Sequence, residues 1–324
     1  MTRAIRIHKN GPPSVMKWEE VEIGKPMKGE VRLRQTAVGL NFIDTYFRAG
    51  LYPQPLPLTL GSEGAGVVEV LGGGVTGLKV GDRVAYAGGP IGSYAEQRLI
   101  PAHHLIKIPK EISDQTAAAM MLKGMTARYL LRDTYRVKKG DTILIHAAAG
   151  GLGLILCQWA SHLGVTVIGT VSSKQKADLA KAHGCHHPII YTKQNFVDRV
   201  KRLTKGAGVP VVYDSIGKDT FPASLDCLQK RGLFVSFGNA SGPVPPFVTG
   251  ILTQRGSLYM TRPSLFDYVG TRPELVANAG DLIGVVKKGV VKIEINQTYA
   301  LKDAARAHRD LEGRKTTGSS VLQP

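Results

Sequence analysis

The residues with the clearest chemical potential run from Thr142 to Gly153. The apolar stretch Thr142-Ile143-Leu144-Ile145 gives way to His146-Ala147-Ala148-Ala149 and then to Gly150-Gly151-Leu152-Gly153. An apolar run that breaks at a glycine cluster and at once resumes reads as a strand, a tight turn and a helix start. A helix start offers unpaired backbone N–H groups and partial positive charge, and small side chains let a diphosphate reach them. The chemistry is therefore the holding of a dinucleotide pyrophosphate. The match to G-x-G-x-x-G is incomplete: Ala148 takes the first glycine's place, while Gly150 and Gly153 fill the later two.

A second group of residues follows at the spacing where NAD-preferring sites carry an acidic residue for the ribose, about 20 residues past the glycines. Here the chain reads Gly169-Thr170-Val171-Ser172-Ser173-Lys174-Gln175-Lys176, without a carboxylate. Two hydroxyls and two lysines can bind a 2′-phosphate through charge-assisted hydrogen bonds, which favours NADPH over NADH. Lys174 and Lys176 are equally readable as the solvated face of the next helix.

These residues need a frame. After Gly153 the pattern predicts a helix over 154–163, a strand over 165–171, a helix over 174–183 and a strand over 188–191. It continues with a helix over 195–204, strand 209–214, helix 219–228 and strand 233–237. This alternation is the doubly wound, parallel-sheet arrangement. Before about residue 120 the chain instead shows short strands over 4–8, 31–38, 66–71, 83–87 and 93–100, punctuated by Gly and Pro. After about 256 come a strand over 258–260, a helix over 273–288, a strand over 292–299 and a helix over 301–311. The nucleotide-binding segment thus reads as an insertion into a mostly β domain.

Bulk properties set limits. Of the 324 residues 43% are hydrophobic and 21% charged, ample for two cored domains and unlike a disordered chain. The net charge of +17 attracts polyanions as well as a phosphate-rich cofactor. The basic residues are dispersed, without a Lys/Arg run or zinc-finger spacing, so weak nucleic-acid binding is the most that the charge supports. Cys157, Cys185 and Cys227 are widely spaced and fit a reducing compartment. The start lacks a signal-peptide core, and no apolar run reaches the roughly 18 residues of a membrane helix. A cytoplasmic protein is expected. Cys185-His186-His187 is the one metal-like cluster, and three consecutive side chains cannot converge on one ion in extended chain.

Residues 39–44 (Gly-Leu-Asn-Phe-Ile-Asp), 48–53 (Arg-Ala-Gly-Leu-Tyr-Pro), 61–66 (Gly-Ser-Glu-Gly-Ala-Gly), 81–84 (Gly-Asp-Arg-Val), 122–127 (Leu-Lys-Gly-Met-Thr-Ala), 146–153 and 256–259 together carry a resemblance. Along its whole length the chain resembles the quinone oxidoreductase (zeta-crystallin) branch of the medium-chain dehydrogenase/reductases. The resemblance implies an α/β protein with a GroES-like, mostly β catalytic domain (1–122 and 257–324) and a Rossmann NADPH-binding domain (123–256). It also implies an active site in the cleft and a homodimer joined edge to edge near Gly256 to Met260. Zinc-dependent relatives put a cysteine ligand near Asn41 to Asp44, a histidine where Ser62 stands and four cysteines in a structural lobe. None of these ligands is present at those places, so no zinc is expected.

The same resemblance implies the site. Asn41, Tyr46 and Tyr52 become the donors beside the nicotinamide, although a tyrosine near its usual pKa of about 10 gives up protons slowly. Asn41 also reads as a turn residue, and both tyrosines as packing aromatics. Lys123 and Thr126, in a segment expected to start the helix entering the Rossmann domain, lie near the nicotinamide ribose; Lys123 reads as readily as an ion-pair partner between domains. Gly150, Gly151, Leu152 and Gly153 hold the pyrophosphate. Ser172, Lys176 and Tyr191 serve the adenosine end, Phe237, Gly238 and Asn239 the nicotinamide ribose, and Arg262 and Arg314 the phosphates. The implied reaction is NADPH-dependent reduction of a quinone to semiquinone or quinol, in which the charge delivered by hydride spreads over a ring becoming aromatic. Reduction of the C=C of enones or 2-alkenals, and an RNA-binding role with little turnover, are the alternatives.

Overall fold

Short strands with glycine at their turns open the chain. The computed structural model describes all 324 residues, which divide into two compact units: 1–125, 269–287 and 293–324 form one, and 126–268 with 288–292 the other. No helix is long and apolar enough to cross a membrane.

The first unit begins with β1 (Thr2–Ile7), β2 (Lys17–Val21) and β3 (Glu30–Leu40), followed by helix α1 (Phe42–Ala49). Asn41 caps α1 with an extended backbone, and the Asp44 carboxylate reaches back to its N–H at 3.0 Å. Gly50, at φ 85°, ends the helix in the left-handed conformation that glycine adopts without strain. Then come β4 (Leu58–Thr59), β5 (Glu63–Leu71), β6 (Arg83–Ala87), β7 (Gln97–Pro101), β8 (Ile106–Lys107) and helix α2 (Asp114–Tyr129). The strand expected over 93–100 is thus shorter and later, and α1 was not foreseen. Segment 123–126 lies inside α2, not at its start.

The second unit follows the expected alternation: β9 (Thr142–Ile145), α3 (Gly151–His162), β10 (Thr166–Val171), α4 (Lys174–Ala182), β11 (His187–Ile190), α5 (Phe196–Leu203), β12 (Val209–Asp214) and β13 (Leu228–Ser236). Its six strands pair in parallel in the order β11-β10-β9-β12-β13-β14, with β14 at Tyr259–Thr261. Parallel strands are covered on both faces, which is why they read as continuous apolar runs; Ile143, Leu144, Ile145, Val167, Ile168, Val211 and Val212 are all fully buried. The helix expected over 219–228 is only a 3₁₀ turn, Ala223–Cys227. Pro222 has no N–H to offer a helical ladder.

Short helices α6 (Gly250–Gln254) and α7 (Leu265–Tyr268) complete this unit. The chain then returns to the first through α8 (Arg272–Lys287), β15 (Ile295–Ala300), α9 (Ala304–Glu312) and β16 (Ser319–Gln323). There β15-β16-β3-β5-β6-β8 form a sheet, with β7 beside β3, and β2-β1-β4 a smaller one. The units divide at 125/126 and 268/269, where 122/123 and 256/257 were expected. The later boundary moves because β14 hydrogen-bonds to β13, so its backbone is committed to the parallel sheet.

In the turn between β9 and α3, Ala147 has φ 54° and the Gly150 N–H closes back onto its carbonyl at 2.9 Å. A Cβ on Gly153 would overlap that carbonyl oxygen and the Ala148 backbone, so this glycine is required for close approach. Gly153→Ala is expected to cost about 1–3 kcal/mol through forced separation of α3 from the turn, read as a lower midpoint in urea unfolding; an unchanged midpoint would refute the packing argument.

Candidate functional site

In the first unit the site grows from α1 and the start of β5. Asn41 is 4% exposed and its side-chain Nδ2 donates to Glu63 Oε2 at 2.8 Å. Glu63 has no exposed surface and also accepts from the Leu122 backbone N–H at 2.8 Å, with Lys123 Nζ 3.5 Å away. Lys123 Nζ donates to the Leu40 carbonyl at 3.2 Å as well. Burial pushes the Glu63 pKa up, against the Lys123 ammonium and the Asn41 and Leu122 donors. Lys123 is therefore an ion-pair partner, but within its own unit and not between domains. Tyr46 and Tyr52 meet edge to face, centroids 5.3 Å apart, with Phe47 on the far side of Tyr52.

Behind Asn41 lies a second buried carboxylate that the sequence analysis did not single out. Asp44 accepts from Ser62 Oγ (2.7 Å), Tyr94 OH (3.0 Å) and the Asn41 N–H (3.0 Å). Tyr94 OH also lies 3.0 Å from His308 Nε2, and Arg48 Nη1 lies 2.9 Å from His308 Nδ1. Arginine only donates, so Nδ1 accepts, Nε2 carries the hydrogen, and the Tyr94 hydrogen goes to Asp44. Arg48 is held in turn by Glu312 through two hydrogen bonds and by the Gly11 carbonyl. Burial pushes Asp44 up to about 6 and His308 down to about 3, the latter helped by the Arg48 charge. Asp44 and Ser62 stood in motifs already singled out; nothing local marked Tyr94 or His308, which are joined to Asp44 only by the fold.

In the second unit, Gly150 is the N-cap of α3, and Gly151, Leu152 and Gly153 form its first turn, whose N–H groups have no intrahelical partner. Ser172 directly follows β10, Lys176 lies in the first turn of α4, and Tyr191, which directly follows β11, donates its N–H to the Val171 carbonyl at 3.1 Å. The structure thus brings these three together at the carboxyl end of β10, where no carboxylate stands. Lys174 instead pairs with Asp178. Phe237, Gly238 and Asn239 follow β13, with the Phe237 N–H on the Asp214 carbonyl at 2.8 Å. A Cβ on Gly238 would crowd the Ser215 backbone. Arg262 Nη1 reaches the Ser236 carbonyl at 3.1 Å, beside that segment. Thr126 is buried in α2. Arg314 belongs to the first unit, exposed in the turn after α9, and this unit's own fold does not assemble it with the nucleotide residues.

No group of three or more His, Cys, Asp or Glu side chains is arranged to hold a metal ion. His186 Nδ1 accepts the Val167 N–H at 3.0 Å, Cys185 is buried and His187 opens β11, so the run leads from the turn after α4 into the strand.

The chain is similar to known proteins along its whole length. Residues 27–110 match the family described as alcohol dehydrogenase GroES-like domain, and 151–283 the family described as zinc-binding dehydrogenase. A quinone oxidoreductase of Pseudomonas aeruginosa is 54% identical over 325 residues, covering all of both chains. A 2-haloacrylate reductase of a Burkholderia species is 51% identical, covering 100% of this chain and 99% of that one. The crystal structure of Escherichia coli quinone oxidoreductase complexed with NADPH superposes with a TM-score of 0.98 at 49% identity, covering 99% of this chain and all of that one.

The two buried titrating groups have opposite effects on stability. Between 3.8 and about 6 the folded chain holds the Asp44 proton more tightly than the unfolded chain, so this group lowers stability as pH rises. Between about 3 and 6.5 the unfolded chain binds a proton that folded His308 refuses, so that group raises stability with pH. Asp44→Asn is expected to steepen the rise of unfolding free energy between about pH 4 and about pH 6, and His308→Gln to flatten or reverse it. Identical slopes in urea titrations of wild type and both variants would refute the assignment.

Proposed function

The chain belongs to the quinone oxidoreductase branch of the medium-chain dehydrogenase/reductase superfamily, and from that premise we propose that it reduces quinones with NADPH and without zinc. The observation that carries the cofactor choice is the carboxylate-free end of β10, with Ser172, Lys176 and Tyr191 around it. The residues fit the dinucleotide: the first turn of α3 presents N–H groups to the pyrophosphate, and the Gly153 and Gly238 approaches leave no room for side chains. Lys176 supplies charge for the 2′-phosphate, and Arg262 further charge for phosphates.

Bound NADPH supplies a hydride from nicotinamide C4. This chain's part is to receive the oxygen on which negative charge develops. Glu63 takes one N–H of the Asn41 amide and leaves the second for that oxygen. Tyr46 and Tyr52, locked edge to face, supply phenolic donors and a flat apolar wall for a ring substrate. Asn41 and Ser62, where zinc-dependent relatives have metal ligands, are instead hydrogen-bonded to Glu63 and Asp44, which favours donor-based over metal-based stabilisation.

A second reading has its own support. The 2-haloacrylate reductase at 51% identity favours reduction of an activated C=C by the same hydride and the same donors.

The test is NADPH or NADH oxidation on adding 1,4-benzoquinone, corrected for the uncatalysed reaction, beside a 2-haloacrylate. Quinone turnover with NADPH is expected to exceed that with NADH, and Lys176→Ala to raise the KM for NADPH about tenfold while leaving that for NADH unchanged, since one charge-assisted hydrogen bond is lost. No NADPH oxidation with any of several soluble quinones would overturn the quinone reading; turnover of the 2-haloacrylate alone would establish the second.

We also propose a homodimer through the free edge of β14, where Tyr259 is 61% exposed. Tyr259→Lys is expected to shift the light-scattering mass from dimer towards monomer; a wild-type monomer would end the proposal.

A further inference from the structure

Beneath the nucleotide-binding turn lies a buried polar cluster that none of the roles above uses. His146 follows β9, Thr170 lies in β10, Asp214 ends β12, and Ser224 sits in the 3₁₀ turn before β13; all four are at most 3% exposed. His146 Nδ1 is 2.9 Å from Thr170 Oγ1 and Nε2 is 2.9 Å from Ser224 Oγ, which donates to Asp214 Oδ2 at 3.1 Å. The other Asp214 oxygen accepts the N–H groups of Ile216 (2.7 Å) and Gly217 (3.0 Å).

The residue types are those of a Ser-His-Asp nucleophile, but the hydrogens run the other way. The carboxylate only accepts, so the single Ser224 hydrogen points to Asp214 and Ser224 Oγ must accept from His146 Nε2–H. A neutral imidazole then has Nδ1 free to accept from Thr170, and burial, which pushes the His146 pKa down, keeps it neutral. With its hydrogen committed to the acid and no exposure, Ser224 has no base and no route to substrate.

What the cluster does join is three loops. His146 leads into the Ala147–Gly153 turn, and the Ala148 N–H is bonded to the Thr170 carbonyl at 3.1 Å. Thr170 is two residues from Ser172. Asp214 leads into Ser215 and Ile216, whose carbonyls accept the Ala240 (3.1 Å) and Ser241 (2.9 Å) N–H groups and so fix the segment after β13. These are the pyrophosphate, adenosine and nicotinamide-ribose segments of the NADPH reading, on which this inference rests.

We propose that His146 is a positioning residue for the dinucleotide: by bridging Thr170 to Ser224 and Asp214 it holds the three cofactor loops in the one mutual arrangement that binds NADPH.

The test is titration of the purified, folded protein with NADPH alone, with wild type as control. His146→Leu breaks both bonds, and its Kd for NADPH is expected to rise about tenfold, the cost of leaving buried hydroxyls unpaired in the bound arrangement. In steady state the KM for NADPH should rise with it while the KM for quinone stays put. His146→Gln, which restores an acceptor and a donor, should recover most of the affinity. A lower melting temperature with wild-type NADPH affinity would overturn the proposal and leave His146 a stabilising core residue. Should His146→Leu fail to fold, Thr170→Val and Ser224→Ala each break one bond; several-fold weaker NADPH binding by both supports the proposal, and wild-type binding by both overturns it. Wild-type protein that binds no NADPH would instead refute the cofactor reading beneath it.

Discussion

A carboxylate without exposed surface must be surrounded by donors, since the alternative is an uncompensated charge in a poor solvent. Three such groups, Glu63, Asp44 and Asp214, organise this protein, each 0% exposed. Glu63 gathers the Asn41 amide, a main-chain N–H inside α2 and the Lys123 ammonium. Asp44 gathers Ser62, Tyr94 and the helix cap. Asp214 gathers two backbone N–H groups and Ser224. For Glu63 and Asp44 the donors include segments far apart in sequence, so satisfying one charge fixes the mutual position of several loops, whereas the donors of Asp214 lie within ten residues of it. Precision is a by-product of the desolvation cost.

The parallel sheet of the second unit was legible because it obeys a local rule: strands covered on both faces must be apolar along their length, and the helices between them alternate in period. Strand 209–214 came out to the residue, and the glycine turn fell where expected. The segment 219–228 has helical composition, yet Pro222 lacks the N–H that would continue a helical ladder through it, and only the 3₁₀ turn Ala223–Cys227 forms. Helix α1 is hidden in the sequence because Asn41 reads as a substrate donor or a turn residue, while its helix cap depends on Asp44 three residues on.

The candidate site was legible only as far as single motifs reach. Asn41, Asp44, Ser62 and Glu63 fall in two short stretches that family resemblance picks out. Tyr94 and His308 enter through tertiary contacts alone, and a hydrogen bond spanning 214 residues leaves no trace in local spacing. Their role is visible only when the hydrogens are followed one by one from Arg48, a donor without exception, to Asp44, an acceptor when ionised.

That directionality bears on what Asn41 can be. The sequence offers it as either a turn former or a ligand-contacting donor, and the geometry makes the two compatible. Its main-chain N–H caps α1 through Asp44, and one amide hydrogen goes to Glu63. Held at both ends, the residue has little rotamer freedom left to lose, which suits the donor role proposed for its second N–H. The Lys123 ammonium beside Glu63 balances the carboxylate charge next to that amide. A site of this kind draws its strength from donors fixed in advance, and it is the buried acids behind them that do the fixing.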